Sequence, residues 1–274
     1  MSIIAGQGDV AVSMALLWAE PGERGRRTAP GPKPALSVDA IVEAAIAVAD
    51  ADTMAGLSMR TVAERLGRSS MALYTYVPGK AELLDLMYDR VHAELSTGHH
   101  PGEGWRTAVE SWAGDLRAFY LRHPWVLQVS YARPVLGPHE QAVLEALAAM
   151  LYETALPARI LRAVVSSLFH FVRGSAQTTA ESRQAASVTG VSDHDWWTAR
   201  SALLNEVAPD FADRFPLSVR LARESAVPPE GEPAPSWDHQ IDDTFTVGLK
   251  VLLDGVEASA DGVEARTATA REGG

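Results

Sequence analysis

The 274-residue chain contains no cysteine, which excludes disulfides and thiolate metal sites and removes any sign of an oxidising compartment. No apolar run approaches the roughly 20 residues needed to cross a bilayer. The run Val10–Trp18 is short, is broken by Ser13 and follows no basic stretch, so neither a secretory signal nor membrane attachment is expected, and the expected location is the cytoplasm. Motifs that mark catalysis are missing too: there is no G-x-S-x-G, no phosphate loop and no H-E-x-x-H. The pair His99-His100 lies in a Gly- and Pro-containing loop without carboxylates at ligand spacing. An enzyme is therefore not expected, nor a resident metal or cofactor. Alternating strand patterns are scarce as well, which points to an all-α fold.

Against these absences stands a composition that is 47% hydrophobic, enough for a sizeable core, and a net charge of −11. An acidic chain argues against nucleic acid unless the charge is unevenly placed. It is: residues 15–80 carry eight basic against seven acidic residues, whereas 81–274 carry sixteen against twenty-seven. The front of the chain is thus compatible with a phosphate backbone and the rear is not.

Residues 1–36 are rich in Pro, Gly and Arg (Pro21, Gly22, Arg24, Arg26, Arg27, Pro30, Pro32, Pro34), a composition that reads as a flexible arm unable to build a core. Met14 is an alternative start. Helical periodicity begins at Ser37, an N-cap, with Ile41, Val42, Ala45, Ile46 and Ala49 on one face and Asp39, Glu43 and Asp50 on the other. Ser58 caps a second helix whose apolar face is Met59, Val62, Ala63 and Leu66, and Gly67 ends it. Ser69 or Ser70 caps a third short helix, Met71–Tyr76, stopped by Pro78-Gly79; a fourth runs from Lys80 to Leu95. Further helices are expected at about 105–122, 124–131, 138–154, 157–183, 192–207 and 237–258, several with proline at N1. Residues 184–191 read as a polar loop and the tail after Ser259 as disordered. The resulting division is an arm (1–36), a three-helix helix-turn-helix domain (37–96), a larger helical-bundle domain for effector binding and dimerisation (97–258) and a tail (259–274).

Two short helices joined at Gly67 free the second to project outward. If Leu73 with Tyr76 or Val77 anchors it, Ser69, Ser70, Met71, Ala72 and Thr75 face out, as a major-groove helix requires: Ser hydrogen-bonds base edges, and Ala or Met touches thymine methyls. Arg60 can reach a guanine edge or a phosphate, and Tyr74 and Lys80 suit phosphates. Tyr76 is expected to be largely buried and Tyr74 partly exposed. The stretches Leu57-Ser-Met-Arg-Thr-Val-Ala-Glu-Arg-Leu-Gly67, Ser70-Met-Ala-Leu-Tyr-Thr-Tyr-Val-Pro-Gly-Lys80 and Ala81-Glu-Leu-Leu-Asp-Leu-Met87 resemble the DNA-binding region of the tetracycline-repressor family. A weaker similarity runs through Leu121-Arg-His-Pro-Trp125 to about Arg183, as in the branch with the tetracycline repressor's own C-terminal domain. The resemblance implies a two-fold dimer, assembled through the helix near 157–183 and the last helix, with one recognition helix per half-site of an operator in double-stranded DNA. It carries base contacts onto Arg60, Ser70, Met71 and Ala72, and phosphate contacts onto Tyr74 and Lys80. Tyr76 and Gly79 depart from the family's usual His and Asn, so operator sequence does not carry over.

Behind the reader, His123, Trp125, Tyr131, Phe169, His170, Gln177 and Trp196 form the residue set expected to line an effector pocket for a small, largely apolar or aromatic molecule. Ordinary packing is the competing reading for most of them, and a core histidine that for His170. Ser96 stands where the tetracycline repressor has a drug-binding histidine, so tetracycline is not the expected ligand; His123 aligns with a second such histidine. The expected mechanism is repression by the unliganded dimer and release by effector. An activator or corepressor-dependent regulator of the same fold stays open, as does a helical adaptor whose reader does not function.

Overall fold

The computed structural model describes residues 3–19, 36–95, 98, 104–225 and 237–272. Among them the elements are α1 (Val10–Leu17), α2 (Val38–Gly56), α3 (Met59–Arg65), α4 (Ser70–Tyr74), α5 (Lys80–His92), α6 (Trp105–Arg122), a 3-10 turn (Pro124–Gln128), α7 (Pro138–Tyr152), α8 (Ala158–Thr189), α9 (Asp193–Val207), α10 (Phe211–Arg214), α11 (Pro216–Ser225) and α12 (Trp237–Glu272). The fold is all-α; the one extended pairing among the described residues is an isolated bridge between Ile3 and Val129.

Two compact units share the chain. The first comprises residues 1–173 with 257–274, the second residues 174–256. In the first, α2 buries Ile41, Val42, Ala45, Val48 and Ala49 and packs on α5 and α3. Ser37 caps α2 by accepting the Ala40 N–H at 3.1 Å. The apolar stripe of α5 (Leu83, Leu84, Met87, Val91) is buried, as its spacing predicts. In the second unit Phe245, Leu249 and Leu253 lie at i, i+4 and i+8 on α12 and are buried. Ser192 caps α9 by accepting the Asp195 N–H at 3.1 Å. No helix among the described residues is long and apolar enough to cross a membrane.

Several boundaries differ from expectation. Residues 3–19 are not a flexible arm: α1 packs on α5, its Leu17 is 1% exposed, and Asp9 caps it. The Pro- and Arg-rich remainder, 20–35, lies outside the described residues. The segment expected as a helix at 124–131 is a five-residue 3-10 turn, because Val129 leaves it to pair with Ile3. Helix α8 runs through the expected loop to Thr189, and α12 runs to Glu272 through the expected disordered tail. The first extension has Gln184, Ala185 and Ala186, and the second has four Ala with Glu264, Arg266, Arg271 and Glu272, strong helix formers without an apolar stripe to announce them. Helices α10 and α11 had no sequence expectation.

Candidate functional site

The reader begins with α3, whose capping box is complete: the Ser58 hydroxyl accepts the Thr61 N–H at 3.1 Å and Thr61 Oγ1 accepts the Ser58 N–H at 2.9 Å. Thr61 Oγ1 also donates to the carbonyl of Gly56, so one hydroxyl fixes the entry to α3. At the other end Gly67 has φ +64°, and the paired bonds Arg68 N–H to Ala63 O (2.9 Å) and Gly67 N–H to Glu64 O (3.1 Å) form a Schellman turn. That left-handed residue reverses the chain into α4. A side chain at position 67 would meet no neighbour, so glycine is required by its φ rather than by space.

Helix α4 is anchored by Leu73 and Val77, both 0% exposed. Its other side carries Met71, 75% exposed, Tyr74, 43% exposed, and Thr75; Ser70 and Ala72 are half-buried beside them. Ser69 occupies the N-cap position without a side-chain cap hydrogen bond. Tyr76, expected to be largely buried, is half-buried, because Val77 takes the inward position. On α3, Arg60 projects into solvent and its Nε donates to Glu64 Oε1 at 2.7 Å, which raises the guanidinium pKa further and holds the side chain extended over the helix. Lys80 starts α5, and its ammonium donates to the carbonyl of Leu57 at 2.6 Å. Of its three donors one therefore secures the junction between α2 and α3, leaving the others for an anion.

Behind the reader, Trp125 is buried, whereas His123 borders a groove. His123 is 4% exposed and sits between two carboxylates, with Nδ1 2.8 Å from Asp50 Oδ1 of α2 and Nε2 3.2 Å from the carboxylate of Glu94, just beyond α5. The Trp125 indole N–H also donates to Asp50 Oδ1 at 2.8 Å. Burial works against the Glu94 charge, yet hydrogen bonds from His123 and Arg122 outweigh it and hold the carboxyl below its usual range. One imidazole thus pins three elements together. Beside it a groove of about 360 Å³ between α2 and α5 is lined by Glu43, Ile46, Asp50, Arg90, Glu94 and His123. The sequence reading placed Asp50 on the solvent face of α2; its partners come from 73 and 75 residues away, so no local pattern reveals it.

The aromatic expectations separate into groups. Tyr131 stacks on Phe169 with ring centres 5.6 Å apart and meets His170 edge-on at 5.6 Å, while Trp112 meets Phe169 edge-on at 5.0 Å. His170 is exposed rather than a core histidine, with Nδ1 2.6 Å from the carbonyl of Ser166. Gln177 and Trp196 belong to the second unit. Gln177 is exposed and donates to Glu181 at 2.8 Å; Trp196 is 42% exposed, packs against Trp197 and lies under the Arg200 guanidinium at 4.5 Å. Arg173, absent from the sequence reading, donates to the carbonyls of Leu127 (2.6 Å) and Val129 (2.7 Å) and so closes the 3-10 turn from α8. Among the described residues no group of three or more His, Asp or Glu can hold a metal.

Comparison with known proteins agrees with this architecture. Residues 97–260 match the family model described as the tetracyclin repressor-like C-terminal domain. The HTH-type transcriptional repressor DrrR1 of Streptomyces coeruleorubidus is 38% identical over 254 residues, 92% of this chain and 87% of that protein. An HTH-type transcriptional regulator of Saccharopolyspora erythraea is 30% identical over 65% of this chain and 75% of that one. Among solved structures, ActR of Streptomyces coelicolor in complex with actinorhodin superimposes with a TM-score of 0.65 at 26% identity, covering 84% of this chain and 97% of ActR. Apo ActR gives 0.63 at 25% identity, over 86% and 99%.

Proposed function

Because the chain belongs to the tetracycline-repressor family of transcriptional regulators, we propose that it works in the cytoplasm as a homodimer that represses transcription from a palindromic operator and leaves it when a small organic effector binds. The observation that carries the reading is the second helix of the reader: α4 is held from beneath by Leu73 and Val77 while Met71, Tyr74 and Thr75 stand out. A short helix so presented enters a major groove. There Ser69, Ser70, Met71 and Ala72 read base edges, Arg60 reads a guanine or grips a phosphate, and Tyr74, Thr75, Tyr76 and Lys80 hold the backbone. The dimer forms through α8 and α12, where Val247 and Val251 are exposed one turn apart. Two readers then lie roughly 34–36 Å apart, one turn of DNA.

The effector is taken up behind the reader among Tyr131, Phe169 and His170, aromatic surfaces that suit a planar or apolar molecule. A solved relative, ActR, takes actinorhodin, which supports a small organic ligand here. The signal travels through α5, which meets the reader at Lys80 and the rear at Asp89, whose carboxylate accepts the N–H groups of His139 and Glu140 at the start of α7. An effector that favours a displaced α5 spoils the spacing of the two readers, with a coupling on the order of 1–3 kcal/mol.

The test is selection from a pool of random duplexes by purified protein at near-physiological salt, where non-specific binding is suppressed. Enrichment of a palindrome with half-sites about one turn apart is expected. No enrichment, with and without cell extract, would transfer the reading to an adaptor acting through protein contacts. A reporter gene behind the selected operator separates repression from activation.

A further inference from the structure

The sequence gives no reason to expect structure before Ser37, yet residues 3–18 run along one side of α5 and are fastened at both ends to the rear of the first unit. At the start, Ile3 N–H donates to Gln128 O at 2.8 Å and Ser130 N–H donates to Ile3 O at 2.6 Å. At the end, the Trp18 indole donates to the carbonyl of Leu136 at 3.0 Å. Between these anchors the segment grips α5 itself: Gly6 N–H donates to Asp85 Oδ1 (2.8 Å), Asp9 N–H to Glu82 Oε1 (2.9 Å) and Ser13 Oγ to Asp85 Oδ2 (3.0 Å).

The chemistry of these contacts is specific. Glu82 and Asp85 are 7% and 2% exposed, and a carboxylate that far from water needs donors. The segment supplies those donors. The approach is close enough that a Cβ at Gly8 would stand 2.2 Å from Glu82 Oε1. Helix α1 carries no charged residue in Val10–Leu17, and its Ser13 and Leu17 are buried at 6% and 1% exposure. Asp89 continues the same acidic row and receives α7. One face of α5 is therefore a ladder of carboxylates held from two sides, and shifting α5 against the rear breaks these bonds together.

We propose that residues 3–18 are a strap that holds α5 in the position needed for operator binding, so that docking of the strap and affinity for DNA are coupled. The inference rests on the operator-binding reading given above. By reciprocity, whatever favours the docked strap favours bound DNA. Residues 20–35, with Arg24, Arg26 and Arg27, join the strap to α2, so strap and reader are tethered within one short stretch of chain.

The absence of cysteine allows labels to be placed at will. Nitroxides at Arg68→Cys in the reader and Tyr152→Cys at the end of α7, in dimers diluted with unlabelled chain, report the position of reader against rear. This distance and the affinity for the selected operator are measured in the full chain, in a chain lacking residues 2–18, and in Gly6→Pro, which removes the N–H given to Asp85 and forbids the observed φ of +69°. The strap predicts a broadened distance distribution and roughly five- to tenfold weaker operator binding in both variants, with both restored to the truncated chain by a peptide of residues 2–18 added in trans. If the truncated chain fails to fold, Gly6→Pro alone decides. An unchanged distance and affinity in a folded variant overturns the strap. If the full chain selects no duplex, the operator-binding reading falls on that result, and the strap is then judged by the distance measurement.

Discussion

Asp50 is a single carboxylate oxygen shared by the ring N–H of Trp125 and the imidazole of His123, both buried. Removing it in Asp50→Ala leaves two donors without partners, and each orphaned donor costs about 1–3 kcal/mol. A loss of about 2–5 kcal/mol is therefore expected in urea denaturation; a loss under about 1 kcal/mol would mean that water takes over the role. Thr53 presents the opposite case. Its φ of 60° and ψ of −176° interrupt α2 in a region that β-branched residues rarely occupy. Because such conformations cost of order 1–3 kcal/mol, Thr53→Gly is expected to raise the melting temperature despite the added freedom of the unfolded chain. A lowered melting temperature would show that the Thr53 side chain contributes more than its backbone costs. In the reader, Arg60→Ala should abolish operator selection while leaving the melting temperature within error, since the side-chain partner of Arg60 among the described residues is the exposed Glu64. Operator binding at full strength by that variant removes Arg60 from the interface.

At the scale of elements, the start of α7 and the end of α5 oppose each other in pH dependence. Burial, with Asp89 and Asp85 close by, pushes the Glu140 carboxyl up to about 7 against hydrogen bonds from the backbone at Leu136 and Val135. Burial pushes His92 down to about 4, only partly offset by its bond to the Tyr88 carbonyl. The folded state thus binds a proton at Glu140 that the unfolded chain has released, and its contribution is lost as pH rises from about 4.5 through about 7. His92 acts the other way: its contribution is present above pH 6.5 and lost as pH falls toward about 4. The two compensate between these limits. Glu140→Gln is expected to uncover the histidine, so that stability falls as pH is lowered from 6.5. A stability profile in Glu140→Gln that matches the parent chain would place the Glu140 carboxyl in water.

For the whole molecule, an overall charge of −11 has to be reconciled with binding to a polyanion. From Met59 to Tyr76 the reader exposes Arg60, Arg65 and Arg68 against the single acid Glu64, while the rest of the acid lies elsewhere in the chain. On the operator-binding reading proposed above, contact is expected to be confined to a few phosphates per protomer, so affinity should fall with the logarithm of salt at a slope set by that small number. Dimerisation makes a separate demand. Val251→Glu on α12 puts a charge where the second copy is expected, so the variant should elute as a monomer and lose the operator together with the dimer, its helical content intact. A dimer that survives the substitution would move the interface away from this face of α12.

What the sequence determined by itself is whatever depends on neighbours a few residues apart. Ser37 and Ser58 as caps, Gly67 as the left-handed turn residue, the apolar stripe of α5 and the match of the reader to its family are all local, because capping, periodicity and φ are set within one or two turns. Fold class and regulator function followed from them. The tertiary structure alone decided the rest. Glu82, Asp85 and Asp89 read in the chain as ordinary polar positions of a helix, and they become a buried ladder only when Gly6, Asp9 and the start of α7 bring their N–H groups, and Ser13 of α1 its hydroxyl, to them. Asp50, His123 and Trp125 meet across more than seventy residues. The docking of residues 3–18 had no signal before Ser37, because eight residues without charge are too few to announce a helix until a groove exists to receive them.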